Sequence, residues 1–238
     1  MLPVKFDVKL FLFLSLAFTI FTIIGTVSHE FGHYAVAKSL GYTASVSYGY
    51  TDWNDLKTKP FMDSMYKKYA VASNVKSDFT EKDKFNKIQN KLDEDGFLIT
   101  FGGPVQTMLT GTIGLFLLFN QRRKINATNK INLYQWFYIF LTMFWLRQLA
   151  NAATWVMGYF INGKFSTYGD EIIIASSLNF PIGSIVFATA AIAFLILLFI
   201  IFKIIPSYKR ITFILAGLFG GIFGYLFWLV WVGPILMP

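Results

Sequence analysis

The chain has 238 residues, of which 55% are hydrophobic and only 14% charged. A soluble domain of this length cannot bury that much apolar surface, so the composition specifies an integral membrane protein. The absence of cysteine excludes disulfides, thiolate metal sites and a catalytic thiol. The net charge of +8 does not indicate nucleic acid, because the basic residues cluster beside apolar segments, where topology signals lie.

The first element runs from about residue 10 to 40. Its basic start and apolar centre resemble a signal peptide, but it lacks a small-x-small cleavage site and reads as a retained span. Its second half carries "HEFGH", with both histidines of the chain. Residues at i and i+4 share a helix face, so His29 and His33 can offer two imidazoles to one metal. Glu30 then stands where it can deprotonate a water beside that metal. Ionisable groups inside an apolar span are costly without a metal or a partner, which favours zinc over chance.

A polar cap at about 42–96 follows, holding nine lysines and nine acids. Tyr42, Ala44, Val46, Tyr48 and Tyr50 alternate with small polar residues, a period of two that predicts a strand or hairpin. Phe61, Met65 and Tyr69 predict a short helix. Thr80 and Asp83 predict the cap of a second helix, with a stripe of Phe85, Ile88 and Leu92 and an end at Gly96.

Further spans are expected at 97–119, 132–161, 182–205 and 211–236, with 168–180 as a half-helix before the fourth of the five. The fold expected is therefore mainly α: one multi-pass bundle of five or six spans over residues 1–238, with the strand-helix cap inserted after the first. Lys5, Lys9, Arg122, Arg123, Lys124, Lys130, Lys203, Lys209 and Arg210 would share one side, which favours a cytoplasmic N-terminus.

A catalytic metal site needs a third ligand and an open position. After the cap, Asp170 and Glu171 are the acids near apolar sequence, and the irregular "NGKFSTYG" before them suits a broken helix that turns a carboxylate inward. Asp170 is the first choice of ligand and Glu171 the alternative; a helix-terminal charge role is the competing reading. Arg147, inside the expected third span, either pairs with these acids, orients a substrate, or snorkels to the interface. Asn151 is either packing glue or part of the site.

These residues resemble the site-2 protease family of intramembrane zinc metalloproteases. "HEFGH" at 29–33 matches its HExxH helix, and "FGGPV" at 101–105 resembles its Gly-Pro segment. Asn162 precedes Asp170 by the spacing of the family's Asn-to-Asp motif, although the motif's prolines are absent and Glu171 replaces its glycine. The resemblance implies a zinc-dependent endopeptidase acting on a membrane-protein substrate in the bilayer. His29, His33 and Asp170 would be ligands, Glu30 the general base, and Asn162 a substrate or oxyanion contact. It also implies that the strand at 42–50, through Val46 and Tyr48, binds an extended substrate edge. Family members often place the site toward the cytosol, whereas the charge count puts His29 nearer the opposite face. A transporter or an inactive relative that binds membrane partners is the alternative.

Overall fold

The computed structural model describes residues 6–72 and 81–238. α1 spans Val8–Ser39 and begins where the Asp7 side chain accepts the Leu10 N–H at 3.0 Å. At 1.5 Å per residue it is about 48 Å long, more than a bilayer core requires. It ends at Gly41, whose φ of +89° is left-handed, and the chain enters a hairpin.

β1, Thr43–Val46, pairs antiparallel with β2, Thr51–Asn54, in a register that sets Val46 opposite Thr51. The period-two expectation thus covers only the first half of the feature. Residues 47–50 form the turn, and a second strand follows in "TDWN". α2, Lys59–Ala72, matches the helix expected from Phe61 and Met65. Asp55 anchors its start: Oδ1 accepts the Lys57 N–H at 3.0 Å and Oδ2 the Thr58 hydroxyl at 2.5 Å. The Thr58 bond holds the Asp55 carboxyl below its ordinary pKa.

α3 covers Lys82–Thr128 as one helix of 47 residues. It starts at Asp83's turn as expected, while Thr80 lies outside the described residues. Gly96 does not end it. A single helical glycine costs only about 1 kcal/mol, and the helix runs on through Gly102, Gly103 and Pro104 as well. Pro104 sits inside α3 and removes its helical bond to the Thr100 carbonyl.

The expected span 132–161 is instead broken. α4, Leu133–Thr142, opens on a capping box formed by Asn132 and Gln135. A 3₁₀ turn at Met143–Trp145 then leads into α5, Leu146–Asn162. No proline or glycine marks this break. Met143, Phe144 and Trp145 are all buried there, and the Trp145 indole donates to the Thr112 hydroxyl of α3 at 3.3 Å.

α6, Asp170–Ser177, is the expected half-helix. α7, Ser184–Phe199, widens into a π-type turn through Ile204. α8, Arg210–Leu226, continues through a similar turn to α9, Gly233–Leu236. Among the described residues, four helical stretches are long and apolar enough to cross a membrane: Val8–Ser39, Lys82–Thr128, Ser184–Ile204 and Ser207–Leu236.

The main core joins α1, α3, α4, α7 and α8 through Leu14, Phe18, Leu118, Ile139, Ile200 and Phe213. Outward positions such as Phe116, Leu195 and Phe219 remain exposed, as expected of a lipid-facing exterior. α1 and α8 approach closely enough for the Thr19 hydroxyl to meet the Gly220 carbonyl at 3.1 Å.

Candidate metal centre

One helical turn of α1 presents His29, Glu30 and His33, all buried, toward α3. The approach is possible because the facing positions carry no side chain. A Cβ on Gly32 would lie 2.5 Å from the Gly102 carbonyl oxygen, and one on Gly102 would lie 2.6 Å from that of Gly32. Beside this contact, a Cβ on Gly103 would overlap the Nε2 atoms of both histidines, at 2.6 Å from that of His29. "FGGPV" is thus the segment that leaves room for the imidazoles.

The outer nitrogen of each ring is fixed from α3. His33 Nδ1 lies 2.7 Å from the Ile99 carbonyl, which can only accept, so Nδ1 carries the proton. His29 Nδ1 lies 2.9 Å from Thr107 Oγ1. The Thr107 hydroxyl donates its one hydrogen to the Gly103 carbonyl at 3.1 Å, which leaves its oxygen to accept from His29. These partners assign both tautomers. In the neutral rings each Nε2 then carries a lone pair directed inward, the arrangement that metal-binding histidines require.

Asp170 completes the cluster from α6. The segment before α6 folds back on α5, where the Trp155 indole donates to the Ser166 carbonyl at 2.9 Å and stacks on Phe165. Gly169, at φ +124°, then turns the chain into α6. Asp170 Oδ2 comes 2.8 Å from His29 Nε2 and 3.3 Å from His33 Nε2, and the two nitrogens are 3.2 Å apart.

Three lone-pair atoms at these separations repel one another unless a proton or a metal ion lies among them. Ligands about 2.05 Å from a tetrahedral ion are about 3.3 Å apart, so two edges match and the third is short by roughly half an ångström. The set fits a divalent ion of that size. A ligand atom from each of His29, Glu30 and His33 falls within 4.8 Å of the others. Glu30 thus stands beside the cluster and lines the adjoining cavity.

In comparisons with protein-family models, curated proteins and solved structures, nothing matches this chain. The geometry is therefore the ground for any functional reading.

A cavity of about 560 Å³ opens beside the cluster, lined by Glu30, His33, Thr51, Arg147, Asp170 and Glu171 among others. Thr51 Oγ1 lies 2.9 Å from the Glu30 carbonyl and 3.2 Å from Glu30 Oε2, and its one hydrogen serves either oxygen. Arg147 Nη2 lies 3.9 Å from Glu30 Oε1. Glu171 turns away from the histidines and accepts the Asn151 amide at 2.9 Å. Of the two candidate acids, the structure brings Asp170 to the histidines.

Three other expected contacts are placed differently. Asn162 ends α5 as an exposed residue and does not line the cavity, because the proline-free 163–169 segment folds back upstream of it, at Trp155. Val46 and Tyr48 do not line it either. The Tyr48 N–H donates to the Met237 carbonyl at 2.9 Å, and the Tyr48 carbonyl accepts the Trp228 indole at 2.7 Å. Its backbone is thus committed to the C-terminal segment.

Gly49, Tyr50, Thr51 and Trp53 face the cavity instead. Continued alternation into "TDWN" was the available sign of this second strand. Thr107 and the Ile99 carbonyl left no comparable mark. Outside the helices, burial and the bond to Asp95 push the Tyr42 phenol above its ordinary pKa.

Proposed function

We propose that the protein is a zinc-dependent intramembrane endopeptidase. The observation that carries this reading is the convergence of His29 Nε2, His33 Nε2 and Asp170 Oδ2, with Glu30 alongside in an open cavity. Four helical stretches of membrane-crossing length, one of them bearing the HExxH turn, support a site within the bilayer. When bound, zinc would supply Lewis acidity, polarising a peptide carbonyl and acidifying a neighbouring water.

The chain's own residues account for the remaining steps. Glu30 takes a proton from the attacking water and delivers it to the leaving amine as the C–N bond breaks. Thr51, within 3.2 Å of Glu30 Oε2, helps keep the carboxylate on the cavity side. β2 borders the cavity and, among the described residues, pairs only with β1, leaving an edge to which an unwound substrate segment can add. Strand addition supplies the backbone hydrogen bonds that a peptide loses when it leaves its helix in lipid.

Metal analysis of the purified protein tests this. Wild type and Glu30→Gln should each carry one zinc, His33→Ala should carry none, and wild type should cleave a membrane-spanning reporter that Glu30→Gln leaves intact. Wild type without stoichiometric zinc would overturn the proposal in favour of a non-catalytic membrane protein.

A further inference from the structure

Arg147 is a cation placed where the zinc reading alone does not require one. It lies in the first turn of α5, just after the break at Met143–Trp145, and lines the same cavity as Glu30 and Asp170. Its Nε is buried without a hydrogen-bond partner among the described residues. Its one ion pair there is the single 3.9 Å approach of Nη2 to Glu30 Oε1.

That approach is too long for a hydrogen bond and is not the two-pronged contact a guanidinium makes with a carboxylate it is built to hold. The acids nearby have other partners. Glu30 Oε2 meets Thr51, Glu171 accepts from Asn151, and Asp170 faces the histidines. A guanidinium has five N–H donors in a fixed fork and cannot shed its charge. Placed in an apolar bundle, it calls for an anionic acceptor that the described residues do not supply. About a quarter of the side chain remains exposed, on a residue that lines the cavity.

We propose that Arg147 receives a carboxylate of the substrate, held in the cavity beside the peptide bond presented to Glu30. The inference rests on the peptidase reading and narrows it to a substrate class: a peptide with an acidic group near the scissile bond. That group is an acidic side chain or a chain's terminal carboxylate. Zinc and Glu30 would perform hydrolysis with any peptide, and Arg147 would decide which peptides stay long enough to be cut.

The test uses the full-length purified protein in detergent, with its zinc content measured in the same sample. It is offered apolar decapeptides carrying one Glu, one Gln or neither, each as a free acid and as a C-terminal amide. Retained peptides and cleavage products are read by mass spectrometry. Wild type should retain carboxylate peptides about tenfold or more over their uncharged counterparts, as expected for a hydrogen-bonded charge pair. A preference lost on amidation assigns the terminal carboxylate; a Glu-over-Gln preference that survives amidation assigns a side chain.

Arg147→Gln should abolish the preference while zinc content is unchanged, and Arg147→Lys, a point charge without the fork, should keep part of it. Equal retention by wild type of Glu and Gln peptides and, for each, of free acid and C-terminal amide overturns the proposal, as does no retention of any acid. A preference that persists in Arg147→Gln overturns it too. Wild-type discrimination decides the matter if that variant does not fold. Missing zinc or missing cleavage speaks against the peptidase reading alone, since retention is measured independently of both.

Discussion

Asp170 and Glu171 are neighbours in sequence with opposite surroundings, and that difference sets the sharpest expectation at the residue scale. Asp170 Oδ2 sits within 3.3 Å of both histidine nitrogens, whereas Glu171 is tied to Asn151. Asp170→Asn should weaken zinc binding more than the 10–100-fold typical of losing an outer partner, a loss of about that size being expected for Thr107→Val. Glu171→Gln keeps an acceptor for Asn151 and should leave zinc unchanged. Competition against a chromophoric chelator reads all three, and the reverse ranking of the two acids would reassign the third ligand. The two histidines were legible because one helical turn contains them. Thr107 was not, because it reaches His29 across 78 residues and depends on how α3 packs.

At the scale of elements, the contact between α1 and α3 is made by glycines, and its tolerance is correspondingly uneven. Gly103→Ala improves intrinsic helix propensity by about 1 kcal/mol, yet its methyl group would fall on both Nε2 atoms. Forcing extra volume into a packed site costs about 1–3 kcal/mol. The expected outcome is loss of zinc with a lowered melting temperature. Gly96→Ala is the control on the same helix, because its Cβ would meet Trp53 at an ordinary 3.6 Å. Equal zinc content in the two variants would show that this packing does not shape the site. The hairpin, α2 and the start of α3 were readable from alternation and from apolar stripes. The continuation of α3 past Gly96 and the break at Met143–Trp145 were not. α3 runs on through Gly96 and Gly102-Gly103-Pro104 despite their breaker character, and the break at Met143–Trp145 has no proline or glycine but is accompanied by tertiary contacts such as Trp145 with Thr112.

For the whole molecule, the open question is which way the site faces, and the fold gathers the relevant charges. The Asp7 N–H donates to Thr212, Tyr208 donates to the Asn129 carbonyl, and Arg122 stacks over Phe199. Lys9, Arg122, Arg123, Lys124, Lys130, Lys203, Lys209 and Arg210 therefore lie toward the end of the bundle where α1 begins and α3 ends; Lys5 falls outside the described residues. His29 is 22 residues along α1 from Asp7, or about 33 Å by helix rise. Basic flanks stay in the cytoplasm, so the cluster and the 42–72 hairpin and helix should face the opposite side. A chain without cysteine makes this direct to measure, since one introduced thiol is the only label site. A membrane-impermeant maleimide should reach Lys57→Cys in intact cells and Lys124→Cys only after permeabilisation. The inverse pattern would turn the cavity toward the cytosol, and the substrate's acidic group would then have to be sought on cytosolic segments instead.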